Sequence, residues 1–221
     1  MLPPLFAMLT LSLAMPPAID LSTGGPAASS DQRRHENCVR QIPDAPTQAY
    51  EAGLAWTSQG GGWPARHCAA LALVALGHPG EAATRLEDLG RTIEGASPRS
   101  RAIMLGQAAD AWLEAGEPTR AAAAFTAGLE QDPGDYGLAA GRAEALLAAG
   151  DLDAAHIAAT QAIALNGQPA EAWRLRAEAL LALDDLDGAL GDMQAARERA
   201  PDDVEILLLR GRINEALRLS R

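Results

Sequence analysis

From Trp63 onward, apolar residues recur at helical spacing in segments of about 13–16 residues, the length of ordinary α-helices. Short punctuation separates the segments: Gly77-His78-Pro79, Gly116-Glu117-Pro118, Gly150-Asp151-Leu152 and Asp184-Asp185-Leu186. Gly closes the first helix of a pair, an acid caps the second, and Pro79 and Pro118 fall on a first turn, where a missing N–H forfeits no hydrogen bond. Val204 to Leu219 reads as one more helix, with Asp202-Asp203 at its start and Arg212, Glu215 and Arg218 forming a polar side. Upstream, Asp31–Ile42 and Thr47–Trp56 predict two helices joined to the rest through the Gly60-Gly61-Gly62 hinge. Nothing in the pattern predicts a strand.

The pattern also repeats. A shift of 34 residues lays Arg142-Ala143-Glu144-Ala145-Leu146-Leu147-Ala148 on Arg176-Ala177-Glu178-Ala179-Leu180-Leu181-Ala182, and Asp151-Leu152-Asp153 on Asp185-Leu186-Asp187. In the unit that starts at Ala170, Trp173, Ala177, Leu180, Ala189, Met193, Ala196 and Pro201 fall in the order of large, small and helix-stopping positions that the tetratricopeptide repeat uses. Leu105, Ala109, Trp112, Ala121, Phe125, Gly128 and Pro133 occupy the same places in the unit from Ala102, and Ala139, Ala143, Leu146, Ala155, Ala159 and Ala162 in the unit from Tyr136. Ala70, Leu73, Ala82, Leu86 and Leu89 form a more divergent unit, followed by an excess of five residues around Ser97-Pro98-Arg99. Residues 63–203 thus resemble four tetratricopeptide repeats: 63–101, 102–135, 136–169 and 170–203.

The resemblance implies an all-α fold, a right-handed superhelical solenoid of antiparallel helix pairs. Residues 33–62 would cap one end, and a solvating helix over 204–221 the other. It further implies that the first helix of each pair lines a concave groove. There the partner-binding candidates are Asp110, Leu113, Glu114, Glu144, Leu147, Glu171, Arg174, Glu178 and Leu181, with Glu205 and Arg212 beyond them. Acids outnumber bases, so the expected partner is an extended or helical protein segment with positive charge beside apolar anchors. The Lys and Asn residues with which some members clamp a C-terminal carboxylate are missing.

Composition narrows the chemistry. Apolar residues make up 48% of the 221 but aromatic ones only 4%, so the core must be built from Ala and Leu. A net charge of −11 argues against nucleic acid as a partner. All 18 basic residues are Arg, which excludes a Walker-type phosphate loop, a pyridoxal Schiff base and a lysine nucleophile. Nucleophile elbows, zinc-protease helices and glycine-rich dinucleotide loops are absent too, and the sequence implies no cofactor. His78 and His156 read as surface residues, Trp112 and Trp173 as core, and Asp184–Gly188 as a capping element rather than a calcium loop. Arg142, Arg176 and Arg210 recur every 34 residues. They form either a ladder for a carboxylate ligand or structural pairs, of which Arg176 with Asp192 is available; the equivalent partner position for Arg142 is Ala158.

Residues 1–18 look like a secretory signal: Leu5 to Met15 is apolar, too short to span a bilayer, and followed by small residues at Ser12-Leu13-Ala14 or Pro16-Pro17-Ala18. No Lys or Arg precedes the run, and the alternative is an apolar N-terminus on a cytoplasmic protein. Residues 19–32 read as a flexible linker. With export, Cys38 and Cys68 are a disulfide pair; two buried thiols, or a metal site with His35 and His67, are the competing readings. The all-Arg, Ala-rich composition fits a high-GC bacterial gene, which makes the periplasm or exterior the expected location. A non-catalytic scaffold is the first functional expectation. A ligand-binding protein or enzyme built on His35, Cys38, Trp56, Trp63 and Cys68 is the second.

Overall fold

A computed structural model describes residues 26–220; the expected signal peptide at 1–18 lies outside them. Eleven helices run through the described residues: α1 (Pro26–Gln41), α2 (Pro46–Ser58), α3 (Gly62–Ala75), α4 (Pro79–Thr92), α5 (Pro98–Glu114), α6 (Pro118–Gln131), α7 (Tyr136–Ala149), α8 (Leu152–Leu165), α9 (Ala170–Ala182), α10 (Leu186–Arg199) and α11 (Val204–Leu219). Consecutive helices pack as hairpins, and each even-numbered helix from α4 to α10 also wedges against the next odd one. Odd-numbered helices touch one another directly, α1 on α3, α5 on α7, α7 on α9 and α9 on α11. They form the inner row of a helical solenoid, and the even-numbered helices form the outer row. None of these helices is long and apolar enough to cross a membrane.

The punctuation works as its residues dictate. Pro79 and Pro118 sit in the first turns of α4 and α6. Asp135, Asp151, Asp185 and Asp203 accept hydrogen bonds from the first free backbone N–H groups of α7, α8, α10 and α11. Gly77, Gly116 and Gly150 take positive φ at the three equivalent inter-helix turns (+79°, +74° and +79°). At the fourth turn Asp184 carries the same conformation, φ +64°, without a glycine's freedom.

Alanine makes the packing close. Ala139, Ala143, Ala159 and Ala162 are fully buried in one core with Phe125, Leu138 and Leu175, and Ala177, Ala189, Met193 and Ala196 form a second cluster under α11. Small side chains at the contacts let helix axes approach to roughly 8 Å, the near end of the usual range. At one such contact, Gly141, an added Cβ would run into the Phe125 ring.

Two expectations need correction. The helix of residues 26–41 begins inside the segment read as linker, because Pro26 is compatible with a first turn and Ala27-Ala28 favours helix; only residues 19–25 of that reading lie outside the described chain. The five-residue excess is absorbed by a longer α5 and by the 93–97 connection, where Ser97 Oγ caps α5. Second, α11 is not simply solvating: Val204, Leu207 and Leu208 are exposed on it.

Candidate functional site

Repeat register decides which side chains share the inner face. Asp110, Glu144 and Glu178 stand 34 residues apart on α5, α7 and α9, so neighbouring inner helices present one carboxylate each at the same height. Leu113, Leu147 and Leu181 stand three residues further along each helix, half-buried against the core. A row of acids therefore runs beside a row of leucines.

The acids interact. Asp110 is open to solvent yet walled in by its neighbours, and loss of hydration together with the Glu144 charge pushes its carboxyl up to about 6. Glu144 is raised in turn, first by burial and then by Glu171 and Glu178, with Arg174 opposing. Glu114 is raised by burial alone. Arg174 is the cation of the cluster; it donates to Glu178 at 2.7 Å and lies within the fields of Glu171 and Glu144. Tyr136, which sequence reasoning did not single out, donates its hydroxyl to Glu171 at 3.3 Å, and burial beside that carboxylate drives the phenol up to about 12. Its place at the first turn of α7, one repeat before Ala170, was the available signal.

All nine groove candidates lie on α5, α7 and α9, and Asp110, Glu144, Glu171, Glu178 and Arg174 form one electrostatically connected cluster, with Glu114 outside it. Beyond them, Glu205 and Arg212 are exposed on α11. One cation against this many carboxylates leaves the surface negative.

The N-terminal candidates meet as well, in a different way. Cys38 and Cys68 form a disulfide that ties α1 to α3, with a Cα–Cα distance of 6.2 Å. Beside it His35 Nε2 donates to His67 Nδ1 at 2.8 Å, and His67 Nε2 donates to Gln107 Oε1 at 2.7 Å; the amide oxygen can only accept, which sets both tautomers. Burial lowers His35 to about 4 and His67 to about 3. The rings are thus spent on each other and the sulfurs on each other. Among the described residues no group of three or more His, Cys, Asp or Glu is placed to hold a metal. Trp56 is buried under Arg34, and Trp63 packs on Leu89, Ile93 and Met104. Gln107 joins this chain from α5, a contact over 40 residues that local spacing could not reveal.

The arginine series divides. Arg176 grips Asp192 through two hydrogen bonds of 2.6 and 2.8 Å, so its role is structural. Arg142 instead donates to Gln161 at 2.9 Å, and Arg210 is exposed. Trp112 donates to Glu87 from the core and Trp173 to the carbonyl of Gly167, the latter flanked by Arg176 and Arg199.

Comparisons with known proteins bear on the fold. Tetratricopeptide repeat family models match residues 69–136 and 113–179. Among curated proteins none matches the sequence. Solved structures similar to the chain include the first tetratricopeptide domain of Spaghetti (RPAP3) bound to the HSP90 peptide SRMEEVD, at 26% identity and TM-score 0.52 over 54% of this chain and 95% of that one. The second such domain of human RPAP3, in complex with the HSP70 peptide SGPTIEEVD, is 26% identical with TM-score 0.52 over 53% and 98%. YrrB, a tetratricopeptide protein with an unusual peptide-binding site, shares 16% identity and the fold over 83% of this chain and 91% of its own, with TM-score 0.66. The chain belongs to the tetratricopeptide repeat family.

Proposed function

We propose that this chain is a non-catalytic adaptor that holds a cationic, partly apolar protein segment against α5, α7 and α9. The observation that carries the reading is the register of the two rows, Asp110–Glu144–Glu178 beside Leu113–Leu147–Leu181. Inner helices lie roughly 8–10 Å apart. A helical ligand returns to the same face every seven residues, a rise of about 10 Å, and an extended one covers that distance in about three residues. A segment with Arg or Lys at either period and an apolar residue nearby would meet one carboxylate and one leucine per repeat. Related domains hold peptides ending in EEVD. Such peptides have the wrong sign for this groove, and the chain has no Lys to clamp their carboxylate. The likeness therefore supports peptide binding as the task and points to a different peptide.

Export is part of the same proposal. The Leu5–Met15 run and the Cys38–Cys68 bridge both suit an oxidising compartment, and the Arg-only composition suits a bacterial envelope. Cell fractionation with thiol alkylation tests it: the reading predicts an envelope or external protein without alkylatable thiols, and a cytoplasmic protein with two free thiols refutes it.

The groove is tested by anisotropy with labelled peptides bearing Arg every third or every seventh residue beside Leu, with acidic EEVD-type peptides as controls. Basic peptides should bind, more weakly as salt rises, and E144Q/E178Q should reduce affinity about tenfold, the sum of two half-buried charge contacts at about 0.7 kcal/mol each. Equal affinity for the acidic controls, or an unchanged affinity in the variant, refutes the reading.

A further inference from the structure

Over its first two turns the last helix is apolar on two opposite sides, and Glu215 and Arg218 continue the outer side as a polar stretch. Ile206, Leu209 and Ile213 are buried against the preceding repeat, while Val204, Leu207 and Leu208 are 65%, 44% and 59% exposed. At about 100° per residue the two sets point in opposite directions, with Gly211 in the middle of the exposed set.

Repeat register says what this outer side is for. One repeat earlier, Leu207 and Gly211 correspond to Trp173 and Ala177, and two repeats earlier to Ala139 and Ala143. In those repeats the alanines are fully buried, packed with residues of α10 and α8. On α11 the same surface is bare, and a Cβ added at Gly211 would meet nothing within 4 Å. Among the described residues, α11 is an inner-row helix whose outer-row partner position is empty.

We propose that a second copy of this chain covers it, through an antiparallel α11–α11 contact about a two-fold axis near Leu208. The surface is self-complementary in that arrangement. Leu208 meets its own counterpart, and Leu207 falls against the bare backbone of the other copy's Gly211. On one flank Glu205 and Arg212, seven residues apart with their midpoint between Leu208 and Leu209, each face the opposite charge of the other copy; both are exposed. The rest of the chain opposes self-association, since its net charge is −11. On α11, by contrast, Arg210, Arg212 and Arg218 outnumber Glu205 and Glu215. The contact is small, which makes the dimer weak, with a dissociation constant on the order of 10–100 μM. This inference stands apart from the groove: α11 dimerisation neither needs nor supplies a ligand, although it would place two grooves on one particle.

Sedimentation equilibrium of the full chain across that concentration range is the test, with far-UV circular dichroism as the check on folding. The mass should pass from one chain to two as concentration rises. L208E should hold the chain monomeric with its helical signal intact. R212E should weaken the dimer about tenfold, by turning two attractions into repulsions, and E205R/R212E should recover it. A chain monomeric at every concentration overturns the proposal, as does a dimer indifferent to L208E or a charge swap that fails to recover association. If L208E loses helix, R212E and its double variant decide alone.

Discussion

Replacing Asp110 by Asn tests whether the inner face is built for a ligand at the expense of the fold. Folding brings this carboxyl into a walled groove beside Glu144 and lifts it from an ordinary carboxylate value to about 6. A displacement that large corresponds to roughly 3 kcal/mol between the protonation states. Asp110 is exposed, however, so water screens much of that, and about 1 kcal/mol is the figure to expect. The sign follows from linkage. The native state holds the proton more tightly than the unfolded one, so ionisation opposes folding at any pH above about 6, and the penalty fades as pH falls to about 4. D110N keeps the shape and removes the charge. Urea unfolding at pH 7.5 should show D110N more stable than the parent by about 1 kcal/mol, and at pH 4 the two should coincide. His35 and His67, held neutral by burial, act in the opposite direction: acidification below about 6.5 favours the unfolded chain, which accepts their protons first. Both forms share that loss, so it cancels in the difference. A D110N advantage equal at both pH values, or a destabilisation at pH 7.5, would refute the reasoning.

Three further substitutions probe the scaffold. D184G should raise stability by about 0.5–1 kcal/mol in the same urea assay, because it relieves a left-handed residue at a turn where the other three repeats use Gly. D192N leaves Arg176 facing a neutral amide in place of two charged hydrogen bonds, and should cost about 2–3 kcal/mol, with R176Q/D192N costing less than the sum of the singles. G141A drives a methyl into the Phe125 ring and should lower stability by about 1–3 kcal/mol, recovered in part by F125L.

Most of the fold is legible in the sequence because each repeat carries its own instructions. The 34-residue recurrence marks the pairs, and Asp151, Asp185, Pro79 and Pro118 mark where second helices begin. The groove acids are legible for the same reason, since register alone places Asp110, Glu144 and Glu178 on one face. Arg176 with Asp192 could be read from repeat positions sixteen residues apart. Where periodicity fails, so does the reading. The start of α1 has no apolar stripe, so Pro26-Ala27-Ala28 looked like linker although nothing in it forbids helix. His35, His67 and Gln107 come from three helices with no common spacing. On α11 the pattern of apolar residues was visible, but a sequence does not say which of two apolar sides finds a neighbour.

The placement of charge relative to core gives the array its logic. Stability comes from the alanines at the inter-helix contacts and from caps at the turns, and the groove acids belong to neither. The groove is therefore free to carry groups that folding alone would reject: like charges on adjacent helices, with Arg174 offsetting part of the repulsion. Such a face could lose its acids and leave the solenoid standing, even strengthened. On the proposed function, this surface, repeated in register over three helices, is kept for what it meets: a cationic segment would turn the repulsion into attraction.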